Sequence, residues 1–283
     1  MLSGALKNWG LDSSESLSFF DRFDSARALK SDKCFKEFEF INNNRMLKLN
    51  GKYMPSTMTQ NDAKEKILLF WSGGKDSALA LHHLIQEAQY EIVGLVTTFN
   101  RDTNTVNFHG IPDSLIIDQA KMLKLPLQRI FLPANCSNTE YIDHVGKILL
   151  IFSRRGVHNV AFGDIHLEDI RKFREEMLVP LEMKAVFPLW GKDSKEVNNE
   201  FFKSGHKALV TSILKEKLDP SFLNCEFDQH FVNRLPKEVD PSGENGEFHT
   251  FVTFGPSFKM RVPFSKAIAI EEGPYLVSLM KEP

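Results

Sequence analysis

Short apolar runs alternate with longer stretches of helical spacing from residue 67 to about residue 192. The apolar runs predict five strands, at residues 67–71, 92–98, 128–132, 157–162 and 186–189. The stretches between them predict four helices, at residues 78–87, 113–123, 139–152 and 167–178. Strands of about five residues that alternate with helices are typical of a doubly wound α/β fold. We therefore expect a five-stranded parallel sheet whose strand-to-helix loops share its carboxyl edge, where ligands bind.

A different pattern begins after residue 192. It predicts helices at 194–203 and 229–235 and strands at 206–214, 248–254, 258–262 and 267–270. These elements indicate a smaller C-terminal α+β region over residues 193–283, packed over the carboxyl edge of a main domain at 64–192. Residues 1–63 show neither the helical nor the strand spacing of apolar residues. This indicates a poorly ordered leader or a misassigned start codon; a lid or an oligomer contact is the alternative.

Composition narrows the class of protein more than its function. The 283 residues are 42% hydrophobic and 25% charged, as in globular proteins, and the net charge of -2 gives no general attraction to nucleic acid or anionic membranes. The three cysteines, Cys34, Cys136 and Cys225, are far apart, which argues against a disulfide framework or a cysteine-rich zinc site. The sequence contains no apolar run of about 18 residues and no secretory signal, so we expect a cytoplasmic protein without a membrane span.

A glycine-containing loop joins the first predicted strand to the first predicted helix. Its residues are Ser72, Gly73, Gly74, Lys75, Asp76 and Ser77. The glycines permit backbone angles that expose consecutive N–H groups, and the helix N-terminus adds partial positive charge, so the loop is suited to an anion. The serine hydroxyls and Lys75 add donors for phosphate oxygens, whereas Asp76 suits a magnesium ion or a helix cap. A generic glycine turn is the alternative, but six such residues at a strand–helix junction favour an ATP site, and their spacing is not that of a Walker loop.

A second segment brings charge to the same edge. Gly163 and Asp164 follow the fourth predicted strand, and the next helix carries Arg171, Arg174 and Glu175. An arginine at this position can neutralise phosphate charge as the bond between the α- and β-phosphates breaks. We expect Arg171 rather than Arg174 in that role; an exposed helix with salt bridges is the alternative.

The third segment, residues 240–252, contains two glycines and precedes a predicted strand. Its turns present Glu244 and Glu247 at the start of that strand. Carboxylates in this position can bind magnesium, hold an ammonium ion or act as a base. A surface hairpin with solvated acids is the alternative, and we expect His249 to be an ordinary strand histidine.

These segments together resemble motifs of the diphthine–ammonia ligase family. The resemblance covers about residues 65–262 and rests on 72–77, on Gly163-Asp164-Ile165 with Arg171, Arg174 and Glu175, on Pro188-Leu189-Trp190, and on the run from Gly243 to Val252. It implies a PP-loop ATP pyrophosphatase domain of the HUP class with a C-terminal substrate region. The implied cofactors are ATP and Mg²⁺, and the implied partners are a carboxylate substrate and ammonia. The family's named substrate is a modified histidine on translation elongation factor 2.

The resemblance also implies a reaction and a set of site residues. The substrate carboxylate attacks the α-phosphorus of ATP, which gives an acyl-adenylate and pyrophosphate, and ammonia then displaces AMP. The implied catalytic residues are Asp76, Arg171, Glu244 and Glu247, with Asp76 also the metal residue. The implied nucleotide-binding residues are Ser72, Gly73, Gly74, Lys75, Asp76, Ser77, Gly163 and Asp164. Trp190, Phe248 and Phe251 are candidates to line a pocket for a quaternary ammonium group.

Two departures from the family pattern and several alternatives bear on the substrate. Asn224-Cys225-Glu226-Phe227 stands where relatives often carry Gly-Arg, and Ser242 stands where a cysteine often follows Asp-Pro. A different small-molecule or RNA substrate is therefore an alternative, as is a nucleotide sensor that holds ATP without turnover. A glutamine-dependent synthetase is not indicated, because Leu2 and Thr59 follow the two candidate start methionines. The sequence leaves a homodimer open.

Overall fold

A computed structural model describes residues 64–106 and 109–281. The predictions made for residues 1–63 lie outside the described residues. None of the helices in the described ranges is long and apolar enough to cross a membrane.

The first sheet contains seven strands rather than the five predicted. They are β1 Glu65–Phe70, β2 Tyr90–Asn100, β3 Thr105–Val106, β4 Ile111–Pro112, β5 Leu127–Leu132, β6 Asn159–Ala161 and β7 Lys184–Val186. Five of them pair in parallel in the order β5-β2-β1-β6-β7. The other two, β3 and β4, extend from β2 as short antiparallel pairs. Two residues are too few to show a period, which is why the sequence pattern did not predict β3 and β4.

Four helices connect the parallel strands. They are α1 Lys75–Glu87, α2 Asp113–Leu123, α3 Asn138–Ser153 and α4 Glu168–Leu178. The chain moves outward from β1 to β2 and β5, then returns to the other side of β1 for β6 and β7. This reversal opens a crevice at the carboxyl ends of β1 and β6, the point at which α/β sheets of this type bind ligands. The glycine-containing loop of residues 72–77, called the phosphate loop after the ligand expected for it, follows β1, and Gly163 follows β6, so the topology brings both to this crevice.

The second sheet is antiparallel, in the order β10-β11-β8-β9. Its strands are β8 Lys207–Leu214, β9 Phe248–Phe254, β10 Ser265–Glu272 and β11 Tyr275–Lys281, preceded by helices α5 Ser194–Lys203 and α6 Gln229–Arg234. The strand predicted at 258–262 is wrong: this stretch is irregular, since Phe258 closes a turn onto the Gly255 carbonyl and Val262 donates to the Thr253 carbonyl. The strand β11 was missed by the sequence pattern.

Strand β9 joins the second sheet to the phosphate loop. The Val252 N–H donates to the Gly73 carbonyl at 2.9 Å. The Gln119 amide donates to the same carbonyl at 3.0 Å and to the Val252 carbonyl at 2.7 Å. One hydrophobic core contains buried residues from both regions, including Ile67 and Leu69 of β1 and Phe248 and Phe251 of β9. The residues that follow β1 are therefore held in place by the C-terminal region.

Candidate active site

A cavity of about 840 Å³ opens at the crevice between β1 and β6. Its walls come from the loops after β1, β5 and β6, from the 242–246 turn and from the start of β9. Both sheets thus contribute side chains to one cavity, whose volume is in the range of ordinary ligand pockets.

Hydrogen bonds within the phosphate loop hold its backbone in place beside the cavity. Gly73 has a φ of 82°, and a Cβ there would lie 2.5 Å from Ile116 Cδ1, so glycine is required. The Ser72 hydroxyl accepts from the Gly74 N–H at 3.2 Å, and the Ser77 hydroxyl donates to the Gly74 carbonyl at 3.0 Å. The N-cap residue of α1, Gly74, has no side chain that could cap the helix, whereas α3 has a full capping box. A helix N-terminus that begins at a glycine is suited to an anionic ligand.

Lys75 and Asp76 form an ion pair at the start of α1. The Lys75 ammonium lies 2.5 Å from Asp76 Oδ1 and 5.7 Å from the centre of the Phe227 ring. The Lys75 backbone N–H donates to Thr250 Oγ1 at 3.0 Å. The Asp76 side chain is 30% exposed, while that of Lys75 is 4% exposed. The carboxylate is therefore open to a ligand while the buried ammonium sets the local positive charge.

The loop after β6 contains Gly163, which lies close to the backbone of α1, and the buried acid Asp164. A Cβ on Gly163 would lie 3.0 Å from the backbone of Asp76 and Ser77, so glycine lets β6 end against α1. Burial raises the pKa of Asp164, and Arg174 opposes that shift from 3.8 Å. Arg174 also donates to the Tyr141 hydroxyl at 3.0 Å and lies 4.9 Å from the Phe162 ring centre. Asp164 and Arg174 both line the cavity.

The two predicted glutamates have different surroundings within the acidic turn, residues 240–247. Glu244 lines the cavity, and its Oε2 accepts from the Ile165 N–H at 3.4 Å. Burial, with the neighbouring Asp76, raises the pKa of Glu244 to about 8, although Lys75 opposes the shift. Glu247 is 3% exposed and accepts three hydrogen bonds, from the Asp240 N–H and from the N–H and amide of Asn245. Glu247 thus closes the turn that presents Glu244.

Two histidines that the sequence did not single out as site residues line the same cavity. His109 follows β3, and His249 lies on β9; their rings stack with centroids 4.2 Å apart. Burial lowers the pKa of His109 to about 4 and holds the pKa of His249 well below its usual value, and Lys75 acts in the same direction on both. A long-range contact of this kind leaves no signal in sequence spacing.

Two family models match the chain: the diphthamide synthase N-terminal domain over residues 65–185 and the diphthamide synthase C-terminal domain over residues 193–273. The chain belongs to the diphthamide synthase family. Among its relatives, the diphthine–ammonia ligase of Schizosaccharomyces pombe is 24% identical over 237 residues, which are 76% of this chain and 39% of that protein. The Homo sapiens diphthine–ammonia ligase is 24% identical over 214 residues, which are 68% of this chain and 79% of that protein.

Arg171 occupies a different position in this diphthamide synthase family member from the one expected. Its guanidinium pairs with Glu175 at 2.8 Å and lies 4.7 Å from the Trp190 ring centre. Of the two arginines on α4, Arg174 is the one among the described cavity-lining residues, which is the reverse of the sequence-based preference. The ring face of Trp190 is covered by Arg171, and Phe251 is fully buried in the core. Of the three aromatic residues predicted to line a pocket, Phe248 is the one that contacts the cavity.

The carboxylates that line the cavity are the candidate ligands for Mg²⁺ in this chain. Asp76 and Asp164 both raise the pKa of Glu244, so the three acids are electrostatically close. Within the described ranges, no group of three or more His, Cys, Asp or Glu side chains has the geometry of a preformed metal site. Mg²⁺ bound with a nucleotide needs only one or two carboxylates, because phosphate oxygens and water complete its shell. The partly exposed Asp76 fits that requirement.

Proposed function

We propose that this chain is an ATP-dependent ligase that adenylates a substrate carboxylate, releases pyrophosphate and transfers the acyl group to ammonia. The observation that carries the proposal is the N-terminus of α1, which begins directly after Gly73 and Gly74 and lines a cavity that also contains Asp76, Arg174 and Glu244. Residues 64–192 supply the ATP-binding part, and residues 193–283 supply the substrate side through the acidic turn and β9.

The phosphate loop suits the release of pyrophosphate. The backbone N–H groups at the α1 N-terminus and the hydroxyls of Ser72 and Ser77 would donate to phosphate oxygens, with the Ser77 hydroxyl exchanging its bond to the Gly74 carbonyl for one to the nucleotide. Arg174 is buried between Phe162 and Tyr141, so its guanidinium is held rigidly and adds fixed positive charge where negative charge develops. Asp76 would hold Mg²⁺, which supplies further charge neutralisation on pyrophosphate when bound.

A divalent ion is needed on charge grounds. Lys75 and Arg174 are the two lysine or arginine side chains among the described cavity-lining residues, and Asp76, Asp164 and Glu244 offset them. A nucleotide polyanion would therefore meet little net positive charge from the protein alone. This is the physical reason to include Mg²⁺ among the cofactors.

Glu244 suits the second half of the reaction. A group whose pKa lies near the working pH is the most effective proton acceptor or donor, and the pKa of Glu244 is about 8. We assign it the proton that the attacking nitrogen loses as the C–N bond forms and AMP leaves. Glu247 and Gly163 have supporting roles, in shaping the acidic turn and in bringing β6 against α1.

Diphthine is the first carboxylate to test, because the relatives are named diphthine–ammonia ligases. One departure from the family pattern has a structural explanation: the buried Ser242 hydroxyl has two acceptors within hydrogen-bond distance, the Asn198 amide oxygen at 2.9 Å and the Ser194 carbonyl at 3.1 Å, and donates its hydrogen to one of them. The acyl substrate of this chain remains part of the proposal, since the match spans 39% of the fission yeast protein.

The test is to incubate the protein with α-labelled ATP, magnesium, diphthine and ammonium chloride, and to separate the products. AMP and pyrophosphate are expected, and Asp76→Asn is expected to slow their formation by at least about 100-fold. Asp143→Asn, which alters an exposed acid paired with Lys147, is the matched control and keeps the wild-type rate. ADP as the product contradicts the proposed cleavage, and ATP that stays bound and intact favours a nucleotide sensor.

A further inference from the structure

The stacked histidines are the buried titratable groups of the cavity that the proposed mechanism leaves without a role. His109 is placed by the segment after β3, and His249 by β9, so the two regions of the chain each supply one ring. The residue after His249 is Thr250, whose hydroxyl accepts from the Lys75 N–H. The pair therefore lies beside the phosphate loop.

Each ring has one nitrogen that is buried and lacks a hydrogen-bond partner among the described residues, Nδ1 of His109 and Nε2 of His249. Buried polar atoms in proteins are nearly always satisfied, so such an atom on a residue that lines a cavity points to a missing ligand. Two of them on stacked rings that both line one cavity are a stronger indication than either alone.

The charges around the pair define the chemistry of that ligand. Burial and Lys75 disfavour a positive charge on either ring, and His109 adds to this effect at His249, whereas a hydrogen bond to the Thr250 backbone opposes it at His109. Tyr275 lies 5.9 Å from the His249 ring centre. The rings are therefore neutral, and a neutral imidazole nitrogen without hydrogen is an acceptor. The matching ligand donates hydrogen bonds and carries no positive charge. Among the reactants of the proposed ligase, ammonia has these properties when it reacts.

We propose that His109 and His249 form the ammonia-binding subsite of this ligase; the inference rests on the proposed function. The ring nitrogens accept hydrogen bonds from NH₃ and direct its lone pair to the acyl-adenylate. The nitrogen forms a bond to the acyl carbon, the bond from that carbon to the AMP oxygen breaks, and AMP leaves with the electron pair. The proton released from nitrogen passes to Glu244.

Amide substitutions offer a matched test, because asparagine places its oxygen near the position of Nδ1 and glutamine near that of Nε2. His109→Asn and His249→Gln keep an acceptor at the unpartnered position. His109→Gln and His249→Asn also replace histidine with an amide side chain, but they place the acceptor away from the unpartnered position.

The ammonium KM is measured for all four variants with diphthine, alongside ATP–pyrophosphate exchange in the absence of ammonium. The mispositioned variants are expected to raise the KM by about tenfold or more, and the matched variants by less than about threefold, with exchange unchanged. Equal KM values in all four variants, or a parallel loss of exchange, overturn the subsite. Absence of exchange in the wild type instead contradicts the proposed function.

A binding measurement tests the subsite without any acyl substrate. Wild-type protein with ¹⁵N-labelled histidine is titrated with ammonium chloride at pH 8.5, with potassium chloride as the control. The ring nitrogen signals of His109 and His249 are expected to shift with ammonium alone and to be assigned by their loss in the variants. Signals that do not move, or that move equally with potassium, overturn the proposal and indicate that water alone occupies the position.

Discussion

The cavity has two regions of opposite chemistry, and Lys75 acts electrostatically on both. The acidic region contains Asp76, Asp164 and Glu244, and the histidine region contains His109 and His249. Burial raises the pKa of Asp164 and Glu244 in the first region and lowers the pKa of both histidines in the second. The same loss of water thus favours the neutral form in each region, although the groups are acids in one and bases in the other.

In the proposed reaction, the difference separates the two half-reactions. The acidic region adjoins the phosphate loop and Arg174, where the proposed release of pyrophosphate requires charge to be neutralised. The histidine region has neutral acceptors and no carboxylate among the causes of its pKa shifts, so it suits a neutral nucleophile. Each prediction below changes one region and leaves the other intact.

The largest expected effect is at Arg174 in the acidic region. Arg174→Gln is expected to lower the rate of AMP formation by about 100- to 1,000-fold, because it removes fixed positive charge from the cavity. Arg171→Gln on the same helix is the control and is expected to change the rate less than about threefold, since removing an exposed charge of this kind has little effect. Circular dichroism checks that both variants fold. Equal losses would place both arginines in the site.

The second largest effect is the loss of unfolding free energy as the pH rises toward about 8. The pKa of Glu244 rises from 4.5 to about 8 on folding, so the folded protein holds this proton more tightly than the unfolded chain. Its contribution is complete below pH 4.5 and is lost as pH rises through about 8, by up to about 5 kcal/mol. Glu244→Gln is expected to remove this loss in urea unfolding at pH 5, 7 and 9. An unchanged slope would show that Glu244 stays ionised.

The histidine region is expected to have the opposite pH dependence. The pKa of His109 falls from 6.5 to about 4, so the unfolded chain binds this proton more tightly. Its contribution is complete above pH 6.5 and is lost as pH falls through about 4, by up to about 3 kcal/mol. His109→Phe is expected to reduce the acid-induced loss in urea unfolding between pH 7 and 4. Part of the slope persists, because burial also lowers the pKa of His206 to about 4.

How far the sequence predicts these regions depends on whether the signal is local. The parallel strands, the helices at 113–123 and 194–203, and the strand at 248–254 follow from apolar period, since each packs against one continuous core. The phosphate loop follows from glycines at a strand–helix junction. The strand at 258–262 was predicted wrongly because turn geometry, rather than alternation, determines its conformation.

Tertiary contacts decide what local patterns leave open. The sequence pattern favoured Arg171 over Arg174, but the aromatic rings that contact each guanidinium come from other elements. The stacking of His109 on His249 joins residues 140 positions apart in the chain, which spacing cannot reveal. Glu244 and Glu247 likewise have the same local context, but only the structure shows that one accepts bonds from its own turn and the other lines the cavity.

The smallest expected effect distinguishes Glu244 from Glu247 within the acidic turn. Each oxygen of the Glu247 carboxylate accepts a hydrogen bond from a backbone N–H, so glutamine at this position would place its NH₂ group against one of these donors. Glu247→Gln is therefore expected to cost about 1 to 3 kcal/mol of unfolding free energy. Its kcat at a temperature where it is folded is expected to stay within about threefold of wild type. Glu238→Gln, at an exposed position on the approach to the turn, is the control and leaves both quantities unchanged. A large kcat loss in Glu247→Gln without a loss of stability would move Glu247 from support of the turn to the chemistry itself.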